Sequence, residues 1–144
     1  MLTNLFFGLL TMALCLLLQS FLFGIAIHYY SRRDYLVNSP SFVSSLIVVN
    51  GVMLLLVTGN LAQIAIWASL FQFLDEFQAF DLAFYHSAVN FATLGYGDIV
   101  MSEDYRLLGP LESVNGVLMI GISTAALTAA FQDSIKRTIQ ARRG

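Results

Sequence analysis

The stretch Ala92-Thr93-Leu94-Gly95-Tyr96-Gly97-Asp98 lies between two long apolar runs and decides the fold. Two glycines alternate with larger residues in it. In an extended chain of ordinary residues the carbonyl groups alternate in direction, whereas a residue with positive φ at every second position keeps them on one side. Glycine adopts positive φ at little cost, so we expect it at Gly95 and Gly97. A row of parallel carbonyl oxygens can replace the water shell of a cation.

The order Thr-Leu-Gly-Tyr-Gly-Asp resembles the signature of potassium channels, usually written TVGYGD, and departs from it at Leu94. The resemblance implies a selectivity filter whose ion-binding residues are Thr93, Leu94, Gly95, Tyr96 and Gly97, with K⁺ held at the first four. K⁺ is then the permeant ion, and no cofactor is expected. The side chain of Leu94 is expected to pack behind the filter, where one aliphatic residue can replace another.

The composition is that of a membrane protein, because 58% of the 144 residues are hydrophobic, only 11% are charged and the mean hydropathy is +0.75. About 20 apolar residues cross a hydrocarbon core of about 30 Å. Three stretches meet that length and predict transmembrane helices over 1–30, 45–71 and 107–131. The first could instead be a signal peptide, but it lacks a basic start and its apolar run is too long.

Basic residues predict the orientation of these helices. Lysine and arginine cluster in the segment 31–44 and in the tail 132–144, and such clusters favour the cytoplasmic side. We therefore expect a cytoplasmic linker at 31–44, a basic cytoplasmic tail at 132–144 and an external segment at 72–106. The N-terminus is then outside, and the chain is a multi-pass protein of the inner or plasma membrane.

The external segment contains an apolar stretch, 79–92, that is too short to cross a bilayer and is typical of a re-entrant helix. A helix that dips in and an extended filter that returns would keep irregular backbone away from lipid. Three acidic residues lie at or before the start of this helix: Asp75, Glu76 and Asp81. Their negative charges either interact favourably with the helix dipole or attract cations. The predicted fold class is an all-α membrane protein with three transmembrane helices, a re-entrant pore helix and an extended filter.

The chain carries one copy of the filter, whereas a ring of carbonyl oxygens needs several. The sequence therefore predicts self-assembly, and the resemblance implies a homotetramer arranged as a fourfold bundle. The helix over 1–30 is additional to the two-helix pore module and is expected at its periphery.

The last helix resembles the inner helix of small bacterial potassium channels, and this similarity covers residues 45 to 131. Gly116 matches the hinge glycine of that family, although a glycine there also permits close helix packing. A stripe at helical spacing, Val117, Ile120, Thr124 and Thr128, is predicted to line the cavity below the filter. Alternatively its hydroxyls bond to their own helix. Glu112 either reaches interfacial water or braces the pore helix.

Three residues are implied by the resemblance to support the filter: Tyr85, His86 and Asp98. Tyr85 is expected to bond to Asp98, and His86 to the hydroxyl of Tyr96. His86 stands where the family usually has another aromatic residue, so it is either a pH sensor or a neutral structural histidine. Val89 replaces a glutamate that some channels carry in the pore helix.

These features predict a potassium-selective channel that works with K⁺, further copies of itself and the lipid bilayer. A weakly selective cation channel and a non-conducting membrane subunit are the alternatives. An enzyme is not expected, since the sequence has no acid-base pair, metal site or phosphate loop, and nothing in it indicates nucleic-acid binding. The gating stimulus is not predicted, because the first span lacks the repeated basic residues of a voltage sensor.

Overall fold

The computed structural model describes residues 1–33, 36 and 42–143 of the chain. The regular elements among these residues are all helices: α1 (Leu2–Arg32), α2 (Phe42–Phe73), α3 (Phe80–Phe91) and α4 (Leu108–Arg143). The three longer helices are each long and apolar enough to cross a membrane. The prediction of an all-α membrane protein with three transmembrane helices and a shorter helix before the last one is therefore confirmed.

The last helix is longer than the sequence suggested. We expected it to end at residue 131, but α4 continues to Arg143 through the segment predicted as a tail. Asp133 and Arg137, four positions apart, form an ion pair of 2.7 Å on this extension, and such pairs stabilise a helix by about 0.3–0.5 kcal/mol. Half of the predicted linker at 31–44, residues 34–35 and 37–41, lies outside the described residues, and its two ends belong to α1 and α2.

The short helix α3 has 12 residues, which corresponds to a length of about 18 Å and cannot span a bilayer. Asp81 lies in its first turn, where a carboxylate interacts favourably with the helix dipole. Its buried residues are Ala83, His86, Ser87, Val89 and Phe91. The small side chains on this face, Ala83 and Ser87, leave room for neighbouring helices to approach closely.

A Schellman motif ends α2 and starts the turn toward α3. Asp75 has φ 58°, and the amide of Glu76 donates to the carbonyl of Phe71 at 3.0 Å while that of Asp75 donates to Gln72 at 3.0 Å. These two bonds satisfy carbonyl groups that the helix end would otherwise leave open. Asp75 therefore has a role in terminating the preceding helix.

The chain divides into two compact units. The first contains Met1–Gln19 and Asn60–Ile120, which include α3 and the filter stretch. Its core contains large side chains that are almost fully buried, among them Trp67, Phe71, Phe91, Leu108 and Met119. All the residues that we predicted for the filter and its support belong to this unit.

The first half of α1 is part of the core of this unit. Cys15 is fully buried as a free thiol, and Gly8 packs against the side chain of Leu111. The side-chain amide of Gln63 donates to that of Gln19 at 2.7 Å, and both are buried. The helix that we expected at the periphery therefore contributes a polar bridge and a buried surface to the filter-bearing unit.

The second unit comprises residues 20–59 and 121–144, so far as the structure describes them. Its apolar cluster includes Ala26, Val52 and Leu56. The hydroxyl of Tyr30 donates to a carboxylate oxygen of Asp133 at 3.0 Å, and a buried hydrogen bond of 2.8 Å joins the hydroxyls of Ser45 and Thr138. Both contacts lie at the ends of the transmembrane helices, in the regions where the sequence places charged residues.

Candidate functional site

The end of α3 sets the conformation of the first filter residue. The amide of Thr93 donates to the carbonyl of Asn90 at 2.9 Å, and the amide of Leu94 donates to that of Val89 at 2.9 Å. With φ 57° at Thr93, these bonds form a second Schellman motif, in which Thr93 takes the position that glycine usually occupies. Residues 92–98, which the sequence predicts as the filter and which we call the filter segment, thus begin inside the C-terminal cap of α3.

Positive φ recurs at every second residue of the filter segment. Thr93, Gly95 and Gly97 have φ of 57°, 59° and 72°, so the expectation for the two glycines is confirmed. A Cβ atom added to either glycine would meet nothing within 4 Å in this chain. The glycines are therefore required by backbone conformation, since positive φ costs other residues about 1–2 kcal/mol.

The filter segment is exposed along its whole length in the single chain. Leu94 is 54% exposed and Tyr96 is 65% exposed. The aliphatic side chain of Leu94 therefore does not find within its own chain the packing that we expected behind the filter. Exposed apolar side chains of this kind mark sites of contact with protein or membrane.

Tyr85 and Asp98 are joined as the resemblance implied. The hydroxyl of Tyr85 donates to a carboxylate oxygen of Asp98 at 2.7 Å, while the other oxygen accepts from the amide of Ile99 at 3.1 Å. The bond from Tyr85 holds the pKa of Asp98 below its usual range, and the same bond raises the pKa of Tyr85 because ionising the phenol would break it. This bond connects α3 directly to the end of the filter segment.

His86 does not have the partner that we predicted. Its Nδ1 lies 3.0 Å from the carbonyl of Ile99, and its Nε2 lies 2.9 Å from the side-chain amide of Asn90; neither nitrogen bonds to Tyr96. A carbonyl oxygen can only accept, so Nδ1 carries the proton and Nε2 accepts from Asn90. This is the neutral tautomer. Burial lowers the pKa of His86, against the opposing effects of the Ile99 carbonyl and nearby carboxylates.

A second contact holds the loop that follows the filter segment, and no sequence pattern predicted it. The carboxylate of Glu76 accepts from the amide of Ser102 at 2.7 Å and from its hydroxyl at 2.5 Å. These bonds attach the loop that follows the filter to the turn between α2 and α3. From the sequence we interpreted Glu76 through helix-end electrostatics or the attraction of cations, and no spacing or motif indicated Ser102 as its partner.

Gly116 packs against the last residue of α3. A Cβ atom on Gly116 would lie 2.8 Å from the carbonyl carbon of Phe91 and closer still to its oxygen. Backbone atoms cannot move aside as a flexible side chain can. Of the two interpretations of Gly116, hinge and close packing, the structure therefore supports close packing, and α4 is continuous through this position.

Three polar side chains connect α4 to the back of α3. Glu112 is fully buried and contacts the hydroxyl of Ser87, which also lies 2.8 Å from the carbonyl of Ile64 on α2. The hydroxyl of Ser113 lies 2.9 Å from the carbonyl of Asn90. Glu112 thus braces the pore helix and does not extend to interfacial water, which was the other possibility.

Comparison with known families gives a direct result. The family model described as "Ion channel" matches residues 53–133, which is more than half of the chain. The chain belongs to this ion-channel family. No curated protein and no solved structure matches it. The matched region of the channel runs from the middle of α2 to α4 and includes α3 and the filter segment, whereas α1 precedes it.

The residues of the channel that we predicted to line a cavity are exposed in the single chain. Val117 and Ile120 belong to the first unit, and Thr124 and Thr128 belong to the second. The hydroxyl of Thr128 donates to the carbonyl of Thr124 at 2.8 Å, which is the bond to its own helix that we considered as the alternative.

Proposed function

We propose that this channel conducts K⁺ selectively, through a filter formed by several copies of the residues 93–97. The carbonyl oxygens of Thr93, Leu94, Gly95 and Tyr96 would replace the water shell of the ion and release it to the next site. The observation that supports this most directly is the alternation of positive φ at Thr93, Gly95 and Gly97. That alternation turns successive carbonyl groups toward the same side.

Assembly around an axis follows from the same segment. One chain supplies one row of oxygens, which cannot surround an ion, and this row is exposed on the chain surface. We propose a homotetramer, in accordance with the resemblance to potassium channels. The exposed side chains of Leu94 and Tyr96 would be covered by the neighbouring copies, and the stripe Val117, Ile120, Thr124 and Thr128 would face the cavity.

Selectivity for K⁺ over Na⁺ requires a filter of stable width. Two hydrogen bonds attach its outer end to α3, from Tyr85 to Asp98 and from His86 to Ile99. The bonds between Glu76 and Ser102 hold the following loop. The C-terminus of α3 leads directly into the filter, and its dipole contributes about −0.5 charge there, which favours a cation.

The membrane orientation remains as predicted from charge. We propose that the N-terminus and the filter face the outside of the cell or inner membrane, and that the basic end of α4 is cytoplasmic. The bilayer, K⁺ and further copies of the chain are the partners of this arrangement. It uses no cofactor and does not involve nucleic acid or enzymatic catalysis.

The test is a measurement of reversal potential on purified protein in planar bilayers, with K⁺ on one side and Na⁺ on the other. We expect a potential close to that of a K⁺ electrode and single-channel currents. Replacement of the filter glycine in Gly97→Ala should abolish selective current, while Gly24→Ala, in a helix and with nothing nearby, should leave it unchanged. Equal permeability would indicate the weakly selective channel, and absence of current the non-conducting subunit.

A further inference from the structure

The contact between Glu112 and Ser87 joins three helices. Glu112 lies on α4, Ser87 on α3 and Ile64 on α2, and the hydroxyl of Ser87 is within hydrogen-bonding distance of both the Glu112 carboxyl group and the Ile64 carbonyl. Glu112 and Ser87 are fully buried, and Ile64 is nearly so. Water therefore cannot exchange freely with this chain of polar groups.

The number of available protons constrains this arrangement. A serine hydroxyl has one proton, and a carbonyl oxygen can only accept. If Glu112 were ionised, Ser87 would face two acceptors with a single proton. If Glu112 is a carboxylic acid, it donates to Ser87, which in turn donates to Ile64, and both bonds are complete. The hydroxyl of Ser113 also lies within hydrogen-bonding distance of two acceptors, the carbonyl oxygens of Asn90 and Gly109. Neither of those carbonyl groups can carry a proton of its own, whereas the carboxyl group of Glu112 can.

The surroundings of Glu112 also favour the neutral form. None of the described basic side chains forms an ion pair with it. The titratable group that faces it from α1 is the Cys15 thiol, and from α3 its carboxyl group is approached by the uncharged side chains of Ser87 and Asn90. One carboxyl oxygen of Glu112 has no hydrogen-bond partner. An ionised carboxylate there would have only the Ser87 hydroxyl and the side-chain amide of Asn90 as donors and no positive charge beside it, and burying a charge that is not paired costs several kcal/mol.

We propose that Glu112 is a protonated carboxylic acid that positions the pore helix by donating to Ser87, which donates to Ile64. This inference rests on the proposed function in so far as it concerns conduction. The chain of bonds fixes α3 in rotation and depth between α2 and α4. Since the amides of Thr93 and Leu94 bond to the end of α3, any rotation of α3 displaces the first carbonyl groups of the filter.

The protonation of Glu112 is tested by infrared difference spectroscopy on the whole channel in lipid at neutral pH. A carboxylic acid has a C=O stretch well above the carboxylate band. We expect that band in the wild type and its loss in Glu112→Gln. If the two spectra are identical in this region, the neutral acid is refuted. This measurement does not require current, so it is independent of whether the protein conducts K⁺.

The positioning role is tested by the ratio of K⁺ to Na⁺ permeability. Glu112→Gln retains a donor and should keep the ratio, whereas Glu112→Leu and Ser87→Ala should each lower it several-fold, and the double variant should be no worse than either alone. Ser69→Ala is the matched control, because Ser69 is exposed and its hydroxyl bonds to its own helix at 2.7 Å. Retention of the oligomer is followed by size-exclusion chromatography.

Two outcomes would overturn the positioning role. If Glu112→Gln loses as much K⁺ selectivity as Glu112→Leu, a hydrogen-bond donor at position 112 is not what preserves selectivity. An unchanged ratio in Ser87→Ala would show that the bond does not reach the filter. If the wild type itself passes no selective K⁺ current, the proposed function fails, and the infrared band still decides the state of Glu112.

Discussion

Gly116 on α4 packs against the carbonyl group of Phe91, so closely that a methyl group at position 116 would overlap the backbone at the end of the pore helix. This relationship makes Gly116 a packing residue at the end of α3, just before the filter segment. It also connects the inner helix to the turn where α3 changes into the filter segment.

The first prediction concerns this contact. Gly116→Ala should destabilise the channel by about 1–3 kcal/mol, the usual cost of overpacking, and should reduce selective current. The control is Gly121→Ala on the same helix, where nothing lies within 4 Å, and where exchange of glycine for alanine favours a helix. Thermal unfolding in detergent measures both. If the two variants have the same melting temperature, close packing is not the role of Gly116.

The second prediction concerns the two filter glycines. Gly95→Ala and Gly97→Ala each place an ordinary residue at positive φ, at a cost of about 1–2 kcal/mol. Because each position is open in the single chain, we expect the chain to fold with either substitution and to lose selective conduction. Circular dichroism should therefore show unchanged helix content in both variants, whereas reversal potentials should show that K⁺ selectivity is abolished. A variant that keeps full selectivity would contradict the role assigned to positive φ.

The third prediction concerns the bond between Tyr85 and Asp98. Tyr85→Phe removes the donor that keeps the pKa of Asp98 low, so that pKa should rise toward the ordinary value for aspartate. Carboxyl-selective NMR of labelled protein follows this titration, and Tyr105→Phe serves as the control for loss of a phenol elsewhere. An unchanged titration of Asp98 in Tyr85→Phe would mean that the hydrogen bond does not persist in solution.

The fourth prediction concerns acid. Because burial lowers the pKa of His86, the unfolded chain binds a proton there more readily than the folded chain. The contribution of neutral His86 to the free energy of unfolding should be fully present above about pH 6.5, the ordinary pKa of histidine. It should be lost as the pH falls through the lower pKa that His86 has in the folded state. Protonation would place a second donor against the amide of Asn90 and break that bond.

Melting temperatures of the wild type and of His86→Gln between pH 8 and pH 5 provide the measurement. We expect the wild type to lose stability relative to the variant on acidification. Parallel curves for the two proteins would show that His86 does not titrate in this range and would remove it from any explanation of acid sensitivity.

Much of the fold was accessible from the sequence, because three long apolar runs and one short one determine the helices through solvent preference alone. Positive φ at Gly95 and Gly97 followed from chain geometry. The partner of His86 was predicted wrongly, since the choice among nearby acceptors depends on side-chain positions that a motif does not encode. The bonds between Glu76 and Ser102 were missed for the same reason, as these residues are far apart in sequence and belong to no pattern.

The length of α4 was also underestimated. Charged residues after position 131 ended the apolar run, and we took that as the end of the helix. Helix formation depends on backbone propensity and local ion pairs such as Asp133–Arg137, which continue where hydrophobicity stops. Hydropathy thus locates a lipid-compatible span, whereas the helix that carries it extends further.

Thr93 has two tasks in one residue, because it closes the cap of the pore helix and opens the row of carbonyl oxygens. A β-branched side chain is unfavourable at positive φ, so a substitution at this position changes the end of the helix together with the inner end of the proposed ion path. A small library with Ser, Asn and Gly at position 93 would separate these effects. Glycine relieves the backbone and removes the hydroxyl, whereas serine keeps the hydroxyl without the branch.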